Sequence, residues 1–150
     1  MAGKYISLLV HFTWSTAERE PWLERNMRAD LYSYIGGIMH NKKAKLISAG
    51  GMFDHIHLFA SLPSTISIAD FVNAVKSNSS RWVHQSFAPL RNFAWQEGYG
   101  AFSVSKSGQQ AVVRYIGNQE SHHRKRSFKE ELITLLDKHE IEYDERYLWI

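Results

Sequence analysis

The sequence contains no cysteine, which excludes disulfide bonds, thiolate metal sites and a cysteine nucleophile. It also lacks internal repeats, low-complexity segments and linkers, so we expect a single domain over residues 1–150. No apolar run approaches the roughly 20 residues that span a membrane, and the N-terminus shows no signal-peptide pattern. These absences together predict a cytoplasmic protein with no membrane partner.

Excess charge of either sign is also scarce. The formal net charge is only +3, although eight histidines would add positive charge on protonation, which favours an anionic partner without requiring one. Basic residues are concentrated in the run His122-His123-Arg124-Lys125-Arg126. A solvated helix end would have the same composition, because cations stabilise the C-terminal end of a helix. Charge alone therefore leaves both interpretations open.

Hydrophobic periodicity predicts the element order β-α-β-β-α-β, followed by further helices. The predicted strands are residues 5–14, 45–49, 55–62 and 93–95 with 99–105, and the predicted helices are residues 22–40, 68–83, 109–123 and 128–136. Gly50-Gly51 predicts the hairpin turn that leads into the third strand. This order is that of the ferredoxin-like split βαβ fold, an α+β architecture with an antiparallel sheet and helices on one face.

His55 and His57 are the most informative pair in the chain. They flank Ile56 in a predicted strand, so both imidazoles project from one face, the face that the two crossover helices leave free. Imidazole is a common ligand of divalent metals, and the pair therefore predicts a metal site, although a His-x-His pair by itself is more often structural. Asp54 points the other way by alternation and is expected to cap the turn.

Tyr115 and Gln119 lie one turn apart on a predicted helix and therefore share a face. That helix would deliver a phenol nucleophile and an amide ligand together to a metal held by the histidines. Such a ligand set leaves open positions on a Mn²⁺ or Mg²⁺ ion, which suits Lewis-acid chemistry on a phosphate. A tyrosyl phosphate would conserve the energy of the broken bond, so a strand could be cleaved and rejoined without ATP.

Several segments carry a resemblance to a known family. They are residues 50–62 around His55-Ile56-His57, residues 76–82, residues 95–103, and the stretch from Tyr115 through Gln119 to residue 131. In these segments the chain resembles the single-tyrosine HUH transposases of small bacterial insertion sequences and their relatives associated with repetitive extragenic palindromes. The resemblance covers nearly the whole chain, and the combination of motifs is specific although no single motif is.

The resemblance implies a metal-dependent enzyme that cleaves and rejoins hairpin-flanked single-stranded DNA. Tyr115 would attack a DNA phosphate and form a 5′-phosphotyrosine, while His55, His57 and Gln119 hold Mg²⁺ or Mn²⁺. The resemblance also implies a homodimer, and it leaves open whether Tyr115 serves its own site or that of the partner.

Basic and short polar side chains are expected to contact the DNA. The expected DNA-binding residues are Lys76, Ser80 and Arg81 on the second predicted helix, and Arg124, Lys125 and Arg126 beside the tyrosine. Contacts of this kind to phosphate supply affinity but little sequence reading. Phe53, Phe59 and Trp95 could stack unpaired bases, but a place in the core is the better interpretation for each.

Two other functions compete with this one. A non-catalytic module that binds DNA or RNA hairpins on the same fold would explain the charge and the aromatic residues, but not the coincidence of the histidine pair with the tyrosine and glutamine. A histidine-triad hydrolase would need a third histidine where Phe59 stands. A two-histidine phosphodiesterase needs two His-x-Thr/Ser motifs, and His11-Phe12-Thr13 has this pattern but His55-Ile56-His57 does not supply its mate.

Overall fold

A four-stranded antiparallel sheet forms the centre of the computed structural model, which describes residues 3–150. The strands are β1 (Leu9–Ser15), β2 (Lys45–Gly51), β3 (His55–Ser61) and β4 (Gly100–Val104), in the order β2-β3-β1-β4. The helices are α1 (Arg25–Asn41), α2 (Ile68–Ser86), α3 (Gln109–Gly117), α4 (Gln119–His123) and α5 (Phe128–Lys138). The α+β, ferredoxin-like β-α-β-β-α-β order with additional C-terminal helices is confirmed. Among these helices of residues 3–150, none is long and apolar enough to cross a membrane.

One face of the sheet is packed against α1 and α2. Strand β3 contributes Ile56, Leu58 and Ala60 to this core, because alternate side chains of a strand point to the same face. The two helices contribute buried apolar residues at three-to-four spacing, namely Met27, Leu31, Ile35 and Ile38 from α1 and Phe71, Val72, Val75 and Val83 from α2. Burying each such side chain stabilises the fold by ~1.5–3 kcal/mol. This layer therefore holds the sheet rigidly and fixes the positions of the residues on its opposite face.

The opposite face is covered by the C-terminal helices of the same chain. It carries polar and aromatic residues of the two central strands, which are His11, Thr13, His55, His57 and Phe59. Helix α3 packs here through Ile116, which joins Phe59 in a small apolar cluster. Helix α5 packs through Phe128 against Phe102 of β4. The helix that carries Tyr115 therefore reaches the histidine face within one chain.

Gly50 and Gly51 belong to strand β2, so the prediction that they form the hairpin turn is wrong. Residues 52–54 make the turn, and the glycines serve a close approach instead. A Cβ on Gly50 would lie 2.4 Å from the carbonyl oxygen of Ile116, and a Cβ on Gly51 would lie 2.3 Å from that of His55. The absence of a side chain at Gly50 therefore lets α3 rest directly on the sheet, and its absence at Gly51 lets β2 pass close to the start of β3.

Element ends differ from the predictions where polar residues interrupt the periodicity. Helix α1 begins at Arg25 rather than at Trp22, and β4 is confined to Gly100–Val104, while Trp95 makes an isolated bridge to Thr16. The predicted helix over 109–123 is broken at Asn118, which separates α3 from α4. Tyr115 and Gln119 therefore lie on two helices instead of one continuous face.

The C-terminal segment docks on the body of the chain. The backbone N–H of Gly98 donates to the carbonyl of Ile150 at 2.7 Å, and the Trp149 ring lies 5.6 Å from that of Phe128. Helix α5 begins with a full capping box between Ser127 and Glu130, as the sequence indicates. These contacts hold α5 across the histidine face.

Candidate active site

His55 and His57 project from the central strand β3 and are fully buried. Each ring is held by its Nδ1 atom. The Nδ1 of His55 donates to Asp54 Oδ1 at 2.8 Å, and the Nδ1 of His57 shares a hydrogen bond of 2.8 Å with His11 Nε2. Both Nε2 atoms are thereby turned toward the same point above the sheet. This is how histidine ligands are oriented in metal sites, where the second ring nitrogen is fixed by a neighbour.

Glu131 of α5 faces this pair and completes a group of three potential metal ligands. Its Oε1 lies 2.9 Å from His57 Nε2 and 3.4 Å from His55 Nε2. The three potential ligand atoms all lie within 4.8 Å of one another, and all three residues are buried. His55, His57 and Glu131 thus form a cluster that could bind a metal ion.

Gln119 and His123 of α4 surround the same carboxylate. Gln119 Oε1 lies 3.1 Å from His55 Nε2, and Gln119 Nε2 donates to Glu131 Oε2 at 3.0 Å. The Nε2 of His123 lies 3.0 Å from Gln119 Oε1 and 3.2 Å from Glu131 Oε1. The short helix α4 therefore adds an amide oxygen and an imidazole to the cluster.

Tyr115 approaches from α3, and its hydroxyl donates to Glu131 Oε2. Its ring lies edge-on to His57 at 5.8 Å and next to His122 at 4.7 Å. A cavity of about 540 Å³ opens beside this ring. Basic side chains contribute to its lining, namely Arg126, Lys138 and His139. The phenol oxygen is therefore within reach of an anionic substrate.

Hydrogen bonds and burial set the charges of the site. Burial alone would raise the pKa of Glu131, but hydrogen bonds from His123, His55 and His57 hold that pKa far below its usual range. Burial alone would lower the pKa of His55, but hydrogen bonds to Asp54 and Glu131 raise it to about 9. The carboxylate is therefore ionised, and the imidazole beside it is biased toward its charged form.

Three further groups are biased toward their neutral forms. Burial and then the charge of Glu131 raise the pKa of Tyr115 well above its usual value. Burial and then the neighbouring His57 lower the pKa of His11 to about 3, and burial also lowers the pKa of His57. The phenol is thus a hydrogen-bond donor at neutral pH, and it needs an acceptor for its proton before it can act as a nucleophile.

Comparison with known proteins shows to which family the chain belongs. The family model described as "Transposase IS200 like" matches residues 4–119. The chain belongs to the IS200-like transposases. The curated ISDra2 transposase TnpA of Deinococcus radiodurans is 27% identical over 122 residues, which is 78% of this chain and 87% of that protein.

Solved structures of transposases share the fold. A Deinococcus radiodurans protein described as a transposase superposes with a TM-score of 0.66 at 26% identity, covering 79% of this chain and 95% of that one. The structure of a REP-associated tyrosine transposase bound to a REP hairpin superposes with a TM-score of 0.60 at 17% identity, covering 82% of this chain and 73% of that one. The α+β architecture is thus that of transposases.

In this IS200-like transposase, the structure brings together four of the residues predicted for the site. Their side chains meet around Glu131, and they are His55, His57, Tyr115 and Gln119. Sequence reasoning missed Glu131 itself, and also the roles of His11 and His123. The family match ends at Gln119, so Glu131 lies outside it. Asp54 does more than cap the turn, since it fixes the ring of His55.

The residues predicted to contact DNA lie on two sides of the transposase sheet. Lys76, Ser80 and Arg81 belong to α2, which packs on the face opposite the histidines. The ammonium of Lys76 donates to three backbone carbonyls of residues 96–98 at 2.6, 2.9 and 2.7 Å, and burial lowers its pKa to about 8. Arg81 is exposed. Lys76 therefore holds a loop, whereas Arg81 is free to face solvent.

The second predicted group lies beside Tyr115. Arg124 and Lys125 are exposed just after α4, and Arg126 donates to Thr134 and to the backbone of Glu130. Arg126 also lines the cavity beside the phenol. Arg126 therefore places positive charge next to the Tyr115 hydroxyl, where the sequence predicts it.

Proposed function

We propose that this transposase is a single-strand DNA transesterase in which Tyr115 is the nucleophile. Its phenol oxygen bonds to a DNA phosphorus as the bond from that phosphorus to the 3′ oxygen breaks, which leaves a 5′-phosphotyrosine and a free 3′-hydroxyl. The reverse reaction with another 3′-hydroxyl rejoins the strand. The observation that carries the proposal is the convergence of Tyr115, His55, His57 and Gln119 on one buried point.

His55, His57 and Gln119 would hold Mg²⁺ or Mn²⁺, and the structure adds Glu131 to this set. Neighbouring ligand atoms on an ion with bonds of about 2.1 Å lie about 3 Å apart, so the separations of 2.9, 3.1 and 3.4 Å fit such a group. Imidazole, amide and carboxylate together suit Mn²⁺ as well as Mg²⁺. The bound ion would neutralise charge on the phosphodiester and on its transition state.

The chain itself orients the reacting groups. Asp54 and His11 fix the two imidazole rings from behind, so their Nε2 atoms stay aimed at the site. Glu131 Oε2 accepts the hydrogen bond of the phenol and so holds the Tyr115 oxygen in place beside the histidines. The phenol proton ends on the departing 3′ oxygen, which balances the exchange of one phosphate ester for another.

The proposed partner is single-stranded DNA that carries hairpins. The kinship with the ISDra2 transposase and the fold shared with a REP-associated transposase bound to a REP hairpin support this partner. Arg126 would contact a phosphate beside Tyr115, and Arg124 and Lys125 would contact phosphates of the same strand. Ser80 and Arg81 would offer a second contact surface on α2, and Lys76 would hold the adjoining loop of residues 96–98. We further propose a homodimer as the working form, as in the family that the chain resembles.

One observation favours a second function, a hairpin-binding module that performs no chemistry. The Glu131 carboxylate accepts a hydrogen bond from Tyr115 and another from Gln119, so it engages the nucleophile and an expected ligand together. With the carboxylate so engaged, the fold would bind nucleic acid without cleaving it.

The test is incubation with a labelled pool of hairpin-bearing single-stranded DNA and Mn²⁺ or Mg²⁺, read on a denaturing protein gel. The transesterase proposal expects a metal-dependent covalent adduct that Tyr115→Phe and His57→Ala abolish. Tight hairpin binding without any adduct would favour the binding module. An adduct that persists in Tyr115→Phe would overturn the assignment of the nucleophile.

A further inference from the structure

A second cavity, which we call the arginine pocket, lies beside Gln119 on the side away from Tyr115. Its volume is about 380 Å³, within the ~300–1,000 Å³ range of ligand pockets. Helix α1 forms one wall through Arg25, Arg28 and Tyr32. The break between α3 and α4 forms the other wall, and Gly50-Gly51 of β2 closes the bottom. None of the chemistry proposed above uses this pocket.

Arg28 is the first sign that the pocket takes a ligand. Its side chain is only 6% exposed, yet its contacts are long: 3.4 Å from Nη1 to the carbonyl of Gly51 and 3.7 Å from Nη2 to Glu120 Oε1. The guanidinium also lies 5.2 Å from the Phe53 ring centre. A guanidinium carries five N–H donors, and a buried charge is costly unless it is paired and hydrogen-bonded. The donors of Arg28 are therefore far from satisfied.

Tyr32 is the second sign and lies one helical turn after Arg28. Its hydroxyl is buried and has no hydrogen-bond partner among residues 3–150. A Cβ on Gly51 would lie 3.0 Å from this hydroxyl oxygen, so the glycine keeps the space before it open. Buried polar groups in native proteins nearly always have a partner, and an orphaned hydroxyl in a pocket calls for a ligand.

The charge of the pocket defines that ligand as an anion. Arg25 and Arg124 add two further guanidinium groups to the lining. The pocket lining also includes one carboxylate, that of Glu120, which lies 2.8 Å from Arg25 Nη2. Positive charge exceeds negative charge, and the carboxylate occupies the place that an anion would take.

We propose that the arginine pocket binds a phosphodiester of the single-stranded DNA next to the one that is cleaved. The inference rests on the proposed function and extends it. Gln119 lines the pocket and also contacts His55, so the pocket adjoins the cluster of His55, His57 and Glu131. Arg28 and Tyr32 would donate to a phosphate oxygen, and Arg25 and Arg124 would contact it from the rim. Glu120 yields its place when the strand enters.

The test is binding of a fluorescent mixed-sequence single strand in EDTA, measured by anisotropy at several salt concentrations. Arg25→Gln and Arg28→Gln should each weaken binding and reduce the slope of log K against log salt by about 0.7, the value for one phosphate contact on a single strand. Tyr32→Phe should weaken binding about three- to tenfold with an unchanged salt slope, because it removes one neutral donor. Glu120→Gln should act in the opposite direction and tighten binding.

Arg91→Gln is the matched control, since this exposed arginine lies outside the pocket lining and its loss removes the same charge. If Arg28→Gln fails to fold, Arg25→Gln keeps the test decisive, because that side chain is 76% exposed. Variants indistinguishable from Arg91→Gln would overturn the proposal, as would a wild-type protein that binds no single strand in EDTA.

The two proposals fail in different ways. Binding in EDTA needs neither the metal nor the Tyr115 hydroxyl. Altered salt slopes without any covalent adduct would support phosphate binding in the arginine pocket and contradict the transesterase proposal. An adduct combined with unaltered salt slopes would contradict phosphate binding in the arginine pocket and support the transesterase proposal.

Discussion

The Tyr115 hydroxyl donates to one oxygen of Glu131, whose other oxygen lies 2.9 Å from His57 Nε2. One carboxylate on α5 therefore links the expected nucleophile to the expected metal ligands. It belongs to a part of the chain beyond the family match at residues 4–119. The site of this transposase is thus built from the sheet, from α3 and α4, and from a helix that the match does not include.

Glu131→Gln is expected to weaken Mn²⁺ binding about ten- to hundredfold, because the cluster loses the charged oxygen beside both imidazoles. Free Mn²⁺ in a titration can be followed by electron paramagnetic resonance. Glu130→Gln is the matched control, since glutamine still completes the capping box with Ser127. Unchanged or tighter Mn²⁺ binding in Glu131→Gln would show that the carboxylate competes with the ion instead of binding it.

Stability in EDTA is expected to fall as the pH rises above neutrality. The folded pKa of His55 is raised to about 9 from 6.5, so its contribution is fully present below about pH 6.5 and is lost as the pH rises through 9. Urea denaturation between pH 6 and 8 measures this slope, because above that range the lowered pKa of Lys76 adds a slope of the opposite sign. Asp54→Asn should flatten it, because Asp54 accepts the Nδ1 proton of His55. An equal slope in both proteins would contradict the assignment.

Gly50→Ala is expected to destabilise the protein by about 1–3 kcal/mol. Its Cβ would lie 2.4 Å from the backbone oxygen of Ile116, so α3 would have to move off the sheet. Gly37→Ala is the control, because a Cβ there has nothing within 4 Å and removing a helical glycine favours folding by about 0.5–1 kcal/mol. Equal unfolding free energies for the two variants would mean that the close approach of α3 carries no constraint.

Substitutions of Lys76 and Arg81 are expected to affect different properties, the first stability and the second DNA affinity. Lys76→Met removes three hydrogen bonds to backbone carbonyls and should lower the unfolding free energy by about 1–3 kcal/mol. Arg81→Gln should leave stability unchanged and weaken hairpin binding, with a shallower salt dependence. Thermal unfolding and anisotropy on both variants measure this. A stable Lys76→Met that loses DNA binding would reverse the two roles.

Local patterns were sufficient to predict most of the fold and part of the site. Alternation around Ile56 places both histidines on one face, and that inference uses neighbours only. Glu131 could not be found this way, since its position depends on how α5 docks across the sheet through Phe128 and Phe102. The Gly50-Gly51 pair has the composition of a turn, and only the long-range contact between Gly50 and α3 shows why a glycine is needed inside β2.

The break at Asn118 shows a second limit of local patterns. A spacing of four placed Tyr115 and Gln119 on one helical face, and the break removes that premise. The two side chains nevertheless meet, because both bond to Glu131. The sequence thus predicted that Tyr115 and Gln119 lie together because they share a helical face. In the structure they lie together because both contact Glu131.

The most direct measurement is peptide mass spectrometry of the protein after reaction with hairpin-bearing single-stranded DNA and Mn²⁺, followed by nuclease digestion. The account predicts a nucleotide joined through a phosphate to Tyr115, absent when EDTA is present and absent in Tyr115→Phe. Tyr147→Phe, which alters an exposed tyrosine, should leave the adduct intact. A nucleotide attached to another residue, or a bound strand with no attached nucleotide, would contradict the account.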